Sequence, residues 1–224
     1  MTSSNPEFPF WHRVHRGEPR WPVTIVVAIV IALQVTLPAE FNESYTGIIC
    51  GVEAALLVVV NVLNPRRISS HDKGPRVASL ALVVTMSLAN FISVVRLINA
   101  LLSGQLNDAH MLLKSGGSIW LTNVVVFALW YWEFDRGGPG ARAQARDHIP
   151  DFMFPQMSDP GLAAPHWAAS FFDYLYTSFT NSSAFSPTDV LPLTRWAKLL
   201  MMLQSSTSLV VVALVIARAV NILH

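Results

Sequence analysis

The 224-residue chain has the composition of a membrane protein rather than that of a soluble one. Charged residues make up 13% of the sequence, about half of the roughly 25% found in soluble domains. The apolar residues are gathered into blocks long enough to span a hydrocarbon core of ~30 Å as helices. This pattern excludes a soluble enzyme and a nucleic-acid-binding protein. The formal net charge of +1 is too small to point to any charged partner.

Four apolar blocks follow a basic, cytoplasmic leader over residues 1–20. They cover residues 21–37, 45–63, 77–102 and 116–132, and together they predict four transmembrane helices within 21–132. The second block stops before Asn64-Pro65-Arg66-Arg67, because proline cannot continue a helix and arginines do not enter lipid.

The rest of the chain divides into a polar loop and two further apolar blocks. Residues 133–166 are too polar to cross lipid and too rich in glycine and proline for a long helix, although residues 152–154 are apolar and are expected on the lipid headgroups. A weaker block at 167–184 and a strong one at 199–220 form a helical hairpin over 167–224. We expect an all-α bundle of about six membrane-embedded helices, with five or six full spans.

The basic residues predict how this bundle is oriented. If the first four blocks span, the leader, the second loop and the long loop share one side, and Lys114 is the only basic loop residue opposite. Basic loops stay cytoplasmic, which places the N-terminus and the long loop inside a plasma or inner membrane. The residues on the basic side are Arg13, Arg16, Arg20, Arg66, Arg67, Lys73, Arg76, Arg136, Arg142 and Arg146.

The fifth block has two possible paths. A full crossing would put Arg195 and Lys198 outside, against the positive-inside rule, whereas re-entry from the cytoplasm keeps them inside and sends the C-terminus outside. The block has the ~18 residues needed to span, and Pro187 followed by Asp189 suits an outer turn. Full crossing is therefore the expected path.

Ionisable residues inside the blocks are candidate sites because they are costly in lipid. Glu53 lies ~12 Å and Arg96 ~9 Å below the outer surface at 1.5 Å per residue, so we expect an ion pair, with Asn123 at a similar level. A polar vestibule and simple helix–helix contact, with Arg96 reaching outward, both remain open. Asp173 in the fifth block would face water, cap a half-helix or lie at the interface beside two tyrosines.

The sequence offers little else for chemistry. The single Cys50 gives neither a disulfide framework nor a cysteine zinc site, and the histidines lie in loops or termini without metal-ligand spacing. We therefore predict no catalytic residues, no metal and no cofactor.

The segment from Asp173 to Thr180, followed by residues 181–188, Asp189 and a long apolar helix, resembles the pore segment of two-helix potassium channels. Nine residues separate Phe179 from Asp189, as in those channels. The resemblance implies a pore helix, a filter and an inner helix. The filter position holds Ala184-Phe185-Ser186-Pro187-Thr188 without glycine, so stacked carbonyl rings and potassium selectivity are not expected.

The last quarter of the chain is also similar to a family of uncharacterised bacterial inner-membrane proteins, a domain of unknown function. The similarity rests on Ser178-Phe179-Thr180, Phe185, Thr188-Asp189 and the closing Ala219-Val220-Asn221-Ile222-Leu223. It implies a multi-pass inner-membrane protein and no particular activity.

Two functions remain open at this stage. The leading hypothesis is a channel-like or transporter-like protein that passes a small ion without potassium selectivity, alone or as a homo-oligomer in the bilayer. The alternative is a non-conducting structural or accessory subunit, which a dry interior around residues 181–183 would favour. The candidate pore or binding residues are Asp173, Asn181, Ser182, Ser183, Ser186, Thr188, Asp189 and Gln204.

Overall fold

In a computed structural model, the chain folds almost entirely into helices, which confirms the expected all-α fold class. The structure describes residues 9–37, 44–63, 67–68, 73–104, 108–146, 149–159, 161, 163–183 and 189–223.

Each of the six apolar blocks forms a helix, and the loops add two short helices and two small strand pairs. The helices are α1 (Trp21–Val35), α2 (Ser44–Leu63), α3 (Lys73–Leu102), α4 (Ala109–Phe134), α5 (Pro139–Ala143), α6 (Pro155–Ser158), α7 (Phe171–Ser183) and α8 (Arg195–Leu223). The strands are β1 (Glu18–Pro19), β2 (Arg67–Ile68), β3 (Phe152–Met153) and β4 (Leu191–Pro192). β1 pairs with β2 and β3 pairs with β4, both antiparallel.

Three helices in the described part are long and apolar enough to cross a membrane. They are Lys73–Leu102, Ala109–Gly137 and Arg195–Ile222. A helix rises 1.5 Å per residue, so each is at least ~40 Å long, more than the ~30 Å hydrocarbon core. Trp21–Val35 and Gly47–Leu63 are also apolar but shorter.

Contacts among the loops define one end of the bundle, here called the basic end. The pairing of β1 with β2 brings the start of α1 to the chain that leads into α3, and Arg20 Nη2 donates to Ser79 Oγ near the start of α3. Arg76 donates to the Gly137 carbonyl just after α4. At the opposite end, Arg218 of α8 donates to the Gly104 carbonyl after α3. α1, α3 and α8 therefore run away from the basic end, and α4 runs toward it.

α7 enters the bundle from the basic end, and the chain returns to that same end before α8. β3 precedes α7 and β4 follows it, yet the two strands pair with each other, and the Leu193 amide donates to the Asp151 carbonyl (2.8 Å). The expected full crossing of residues 167–184 is therefore wrong. The physical reason is length, because the helix has only 13 residues, or ~20 Å, and does not cover the ~30 Å needed.

The described residues of the loop at 133–166 contain no long helix, as predicted, but the apolar patch of the loop lies elsewhere than expected. Phe152 and Phe154 are buried rather than exposed to headgroups. The Phe152 ring contacts Tyr131 and Trp196, and Phe154 meets Trp167 edge to face. This loop is thus part of the core at the basic end.

α4 is the central helix of the bundle. It packs against α1, α3, α7 and α8, and most of its side chains are buried. Gly116 allows α8 to come close, because a Cβ there would lie 2.7 Å from Val215 Cγ2. α8, in contrast, keeps one long apolar face exposed, including Leu199, Leu203 and Ile216.

Candidate functional site

Several of the predicted pore residues meet in one buried cluster where α7 and α8 pack against α4. We call it the Gln204 network, and it consists of Tyr131, Ser178, Asn181, Ser182 and Gln204. Gln204 extends from α8 and is completely buried. The short side chains of Ser178 and Ser182 lie one turn apart on α7, which lets the two helices approach closely.

Every hydrogen-bonding group of the Gln204 amide is used. Its Nε2 shares its two hydrogens among three acceptors, namely the Ser178 carbonyl (3.0 Å), Ser178 Oγ (2.6 Å) and Ser182 Oγ (2.6 Å). Its Oε1 accepts from the Tyr131 hydroxyl and from Asn181 Nδ2 (2.9 Å). An ion at Gln204 would have to displace one of these partners, so the network is arranged to hold helices together.

Asn181 fastens the second half of α7 to α8. Its Nδ2 also donates to the Met201 carbonyl (3.0 Å), and its Oδ1 accepts from Ser205 Oγ (2.9 Å). Ser183 stays outside the network, since its hydroxyl donates to the Thr180 carbonyl within α7 (3.0 Å). Of the predicted pore residues on α7 and α8, Asn181, Ser182 and Gln204 therefore lie together. Ser183 does not join them.

Asn123 belongs to a second buried chain of hydrogen bonds. Asn90 Nδ2 on α3 donates to Asn123 Oδ1 (3.1 Å), and Asn123 Nδ2 donates to Ser208 Oγ on α8 (3.0 Å). These contacts tie α3, α4 and α8 together, and they do not involve Glu53 or Arg96.

Glu53 does not form the predicted ion pair with Arg96. Glu53 is completely buried and faces α1, where its Oε1 accepts from Gln34 Nε2 (3.5 Å). Its Oε2 has no hydrogen-bond partner among the described residues, while Arg96 is half-buried. Matching depths are insufficient, because the rotation of α2 places Glu53 on the face of Cys50, whose Sγ donates to Gln34 Oε1 (3.5 Å).

A small polar cavity lies between α1, α3 and α4, away from the basic end. Its lining includes Gln34, Asn90, Ser93, Ser118 and Thr122, and its volume is about 10 Å³. Asn90 Oδ1 has no hydrogen-bond partner in the described part of the chain. A cavity of this size has room for about one water molecule, so it is far narrower than a conduit for hydrated ions.

Asp173 caps the beginning of α7. Its Oδ2 accepts from the Ser170 amide (2.7 Å) and from Ser170 Oγ (2.8 Å), the reciprocal contact of a capping box. Of the three predicted roles, the structure gives the helix cap. Asp189 is exposed just before β4, whereas Ser186 and Thr188 lie outside the described residues.

A buried ionic cluster at the basic end was not among the predicted sites. Arg142 Nη2 contacts Glu18 Oε1 at 2.9 Å, and Glu18 Oε2 accepts from Trp132 Nε1 (2.7 Å). Arg142 Nη1 also donates to the carbonyls of Trp132 (2.7 Å) and Asp135 (2.9 Å). Burial alone would lower the pKa of Arg142, but Tyr174, Glu18 and Asp135 raise it above its ordinary value. The leader is thereby fixed to the end of α4.

Asp135 attaches both β3 and α7 to this cluster. Its Oδ1 accepts from the amides of Asp151 (2.8 Å) and Phe152 (3.2 Å), and its Oδ2 accepts from the Tyr174 hydroxyl (2.6 Å). The only sequence signal for these contacts is the run of aromatic residues around Glu133 and Asp135. A charged side chain in such an apolar setting is costly to bury unless it has a partner.

Arg20 is the second buried arginine at this end. Burial lowers its pKa to about 10, and the nearby Glu133 carboxylate partly offsets that effect. Arg20 therefore remains charged at neutral pH.

No protein-family model, curated protein or solved structure matches the chain. The interpretation of the site therefore rests on its geometry.

Proposed function

We propose that the chain is a plasma- or inner-membrane protein with five spans and one re-entrant helix, α7, and with its N-terminus in the cytoplasm. The charge distribution supports this orientation, because basic residues favour the cytoplasmic side. Lys114 and Arg218 lie toward the opposite end. The described basic residues at the basic end are Arg13, Arg16, Arg20, Arg67, Lys73, Arg76, Arg136, Arg142, Arg146, Arg195 and Lys198.

The function that the geometry supports best is channel-like, and the observation that carries it is the path of α7. In a bilayer, this helix ends within the hydrocarbon core, because Asn181 meets Ser205 ~15 Å along α8 from Arg195. Backbone that turns at such a depth is tolerated only when it is buried in protein or lines a water-filled cavity. The carboxyl end of α7 also carries partial negative charge, which favours a cation.

The proposed conduit lies beyond the carboxyl end of α7 and not through the Gln204 network. Ser183 ends α7, the exposed Asp189 lies just before β4, and Ser186 and Thr188 fall between them in the sequence. Their hydroxyl and carboxylate oxygens would attract a cation without potassium selectivity, in line with the resemblance to a pore segment that lacks the filter glycines. A homo-oligomer would place these positions from several copies around one path.

A specific observation favours the alternative, a non-conducting accessory subunit. The Gln204 amide is completely buried and fully hydrogen-bonded, and the cavity lined by Gln34 and Asn90 has room for only about one water molecule. Under this alternative, the polar residues only hold the helices together.

Ion flux in proteoliposomes separates the two functions. The purified chain is reconstituted and assayed under a potassium–sodium gradient, beside empty liposomes. The channel-like function predicts cation flux with little potassium preference and a several-fold loss in Asp189→Asn, because removing a carboxylate lowers the local cation concentration. Asp159→Asn changes an exposed carboxylate away from α7 and serves as the control. Flux no higher than in empty liposomes would favour the accessory subunit.

Cysteine labelling tests the proposed topology separately. In a Cys50→Ala background, Asn221→Cys near the end of α8 should react with an impermeant thiol reagent in intact cells, and Arg146→Cys should react only after permeabilisation. Both positions are exposed in the structure. Protection of both in intact cells would mean that α7 spans, and labelling of Arg146→Cys from outside would reverse the orientation.

A further inference from the structure

A large cavity opens at the basic end, between the leader and the chain that enters α7. Its volume is about 750 Å³, which is within the range of small-molecule sites. We call it the leader cavity, and its lining includes Phe10, His15, Arg16, Glu18, His166 and Ser170. It is separate from the Gln204 network and from the carboxyl end of α7.

The groups around the leader cavity favour an anion. Arg16 and His166 are exposed there. His15 Nδ1 accepts from the Gly17 amide (3.1 Å), which leaves the neutral ring's proton on Nε2 as a donor. Glu18, the carboxylate among the described lining residues, is already neutralised by Arg142 at 2.9 Å.

Exposed aromatic side chains lie close in sequence to the cavity, two residues beyond its lining residues Pro19 and Ser170. Trp21 follows Arg20 at the start of α1, and Phe172 is the second residue of α7. The two are 58% and 53% exposed, and their rings meet edge to face with centroids 6.3 Å apart. Aromatic residues at helix ends mark the level of the lipid headgroups. The cavity thus combines groups that can bind a phosphate with an apolar surface nearby.

We propose that the leader cavity binds the phosphate of an anionic phospholipid of the cytoplasmic leaflet, whose acyl chains pass along Trp21 and Phe172. This proposal depends on the membrane orientation given above but not on ion conduction. Arg16 supplies the positive charge and His166 a further hydrogen-bond donor for the phosphate. The exposed rings of Trp21 and Phe172 account for a lipid rather than a free phosphate. Basic pockets on the cytoplasmic side of helix bundles bind such headgroups.

Lipid binding to the purified full chain in neutral detergent tests the proposal. Phosphatidylglycerol should raise the melting temperature, and native mass spectrometry should show the protein with a defined number of bound phosphatidylglycerol molecules. Phosphatidylcholine at equal concentration should do neither. Arg16→Ala should weaken phosphatidylglycerol binding about fivefold, the effect of one basic residue near a lipid phosphate. Arg146→Ala removes an exposed arginine at the same end that does not line the cavity, and it should leave binding unchanged.

A second variant separates a built cavity from general surface attraction. Ala168→Trp fills the cavity, whose lining includes Ala168, and changes no charge. It should also weaken phosphatidylglycerol binding at least fivefold. The melting temperature without lipid should stay unchanged. Equal losses in Arg16→Ala and Arg146→Ala, or normal binding in an Ala168→Trp variant that melts normally, would overturn the proposal. An equal shift with glycerol 3-phosphate alone would overturn the assignment to a lipid. If the protein conducts no ions but binds the lipid in this way, the proposed function fails and the lipid-binding proposal stands.

Discussion

Replacement of Gln204 by leucine removes the centre of the Gln204 network while keeping a side chain of similar size. Five contacts disappear: three in which Nε2 shares its two hydrogens and two in which Oε1 accepts. Ser178 and Asn181 keep hydrogen bonds to backbone carbonyls of α4 and α8. The buried hydroxyls of Tyr131 and Ser182 lose their contacts with Gln204, and Tyr131 retains only a 3.5 Å contact from Asn181.

Two routes give the same size of effect. Interhelical hydrogen bonds in a bilayer protein average about 0.6 kcal/mol each, so the loss of two donated and two accepted bonds corresponds to about 2–3 kcal/mol. Alternatively, two buried hydroxyls without good partners cost about 1–3 kcal/mol each. We therefore expect Gln204→Leu to lower the free energy of unfolding by about 2–3 kcal/mol. Because the network is not the proposed conduit, ion flux through refolded protein should stay unchanged.

Denaturant unfolding in mixed micelles, followed by circular dichroism, measures this loss. Thr207→Val on the same helix is the matched control, since Thr207 is half-buried outside the Gln204 network and its hydroxyl donates to the Leu203 carbonyl within α8 (2.9 Å). The control should change stability by less than about 0.5 kcal/mol. A Gln204→Leu loss as small as that of the control would refute the reasoning from hydrogen bonds. Abolished flux in a folded variant would place the conduit at the network after all.

Three further changes have defined outcomes in the same unfolding assay. Arg142→Met should cost about 3–5 kcal/mol because it leaves a buried carboxylate without its cation, whereas the exposed Arg146→Met should cost less than about 0.5 kcal/mol; similar losses would contradict the buried pair. Asp173→Ala should cost about 1 kcal/mol through the lost cap of α7, and no loss would argue against that cap. Glu53→Gln and Arg96→Met should be additive within about 0.5 kcal/mol because the side chains do not touch, and a larger coupling would restore the predicted ion pair.

Hydropathy predicted that six helices exist, but their ends depend on single side chains. α4 begins at Ala109, ahead of the predicted 116, because Asp108 accepts a hydrogen bond from the His110 amide (2.9 Å) and caps the helix. The fifth block was counted as long enough to span, yet Ser170 and Asp173 start α7 within it. Length in sequence therefore overstated the length of the helix.

Sequence also predicted only some of the contacts between the candidate site residues. Asn181, Ser182 and Gln204 lie together because α7 and α8 are neighbours in sequence and in space, which the pore-segment resemblance already implied. Glu53 and Arg96 were paired on depth alone, whereas the rotation of a helix about its axis decides which neighbour a side chain meets. Sequence spacing does not reveal that rotation.

The ionic cluster at the basic end was beyond sequence reasoning for a third reason. Glu18 and Arg142 are 124 residues apart in sequence, and both lie in segments that polarity assigns to loops. Charged loop residues are usually solvated. Their burial depends on the aromatic packing of residues 130–134 and 152–154, which joins segments far apart in sequence.

The two faces of α7 explain why this helix ends inside the bundle. Ser178 and Ser182 lie on the face that α4 and α8 cover, while Phe172, Tyr176 and Phe179, spaced by four and three residues, are about half exposed. Polar groups on the inner face have partners only as far as the Gln204 network extends. Beyond Ser183 the sequence continues with Ser186 and Thr188 to the exposed Asp189, which lies just before β4 at the basic end. Polar groups of a chain that turns within the hydrocarbon core need water, protein or an ion as a partner. The response of flux to Asp189→Asn therefore decides between a conduit and a closed turn more directly than any change within the network.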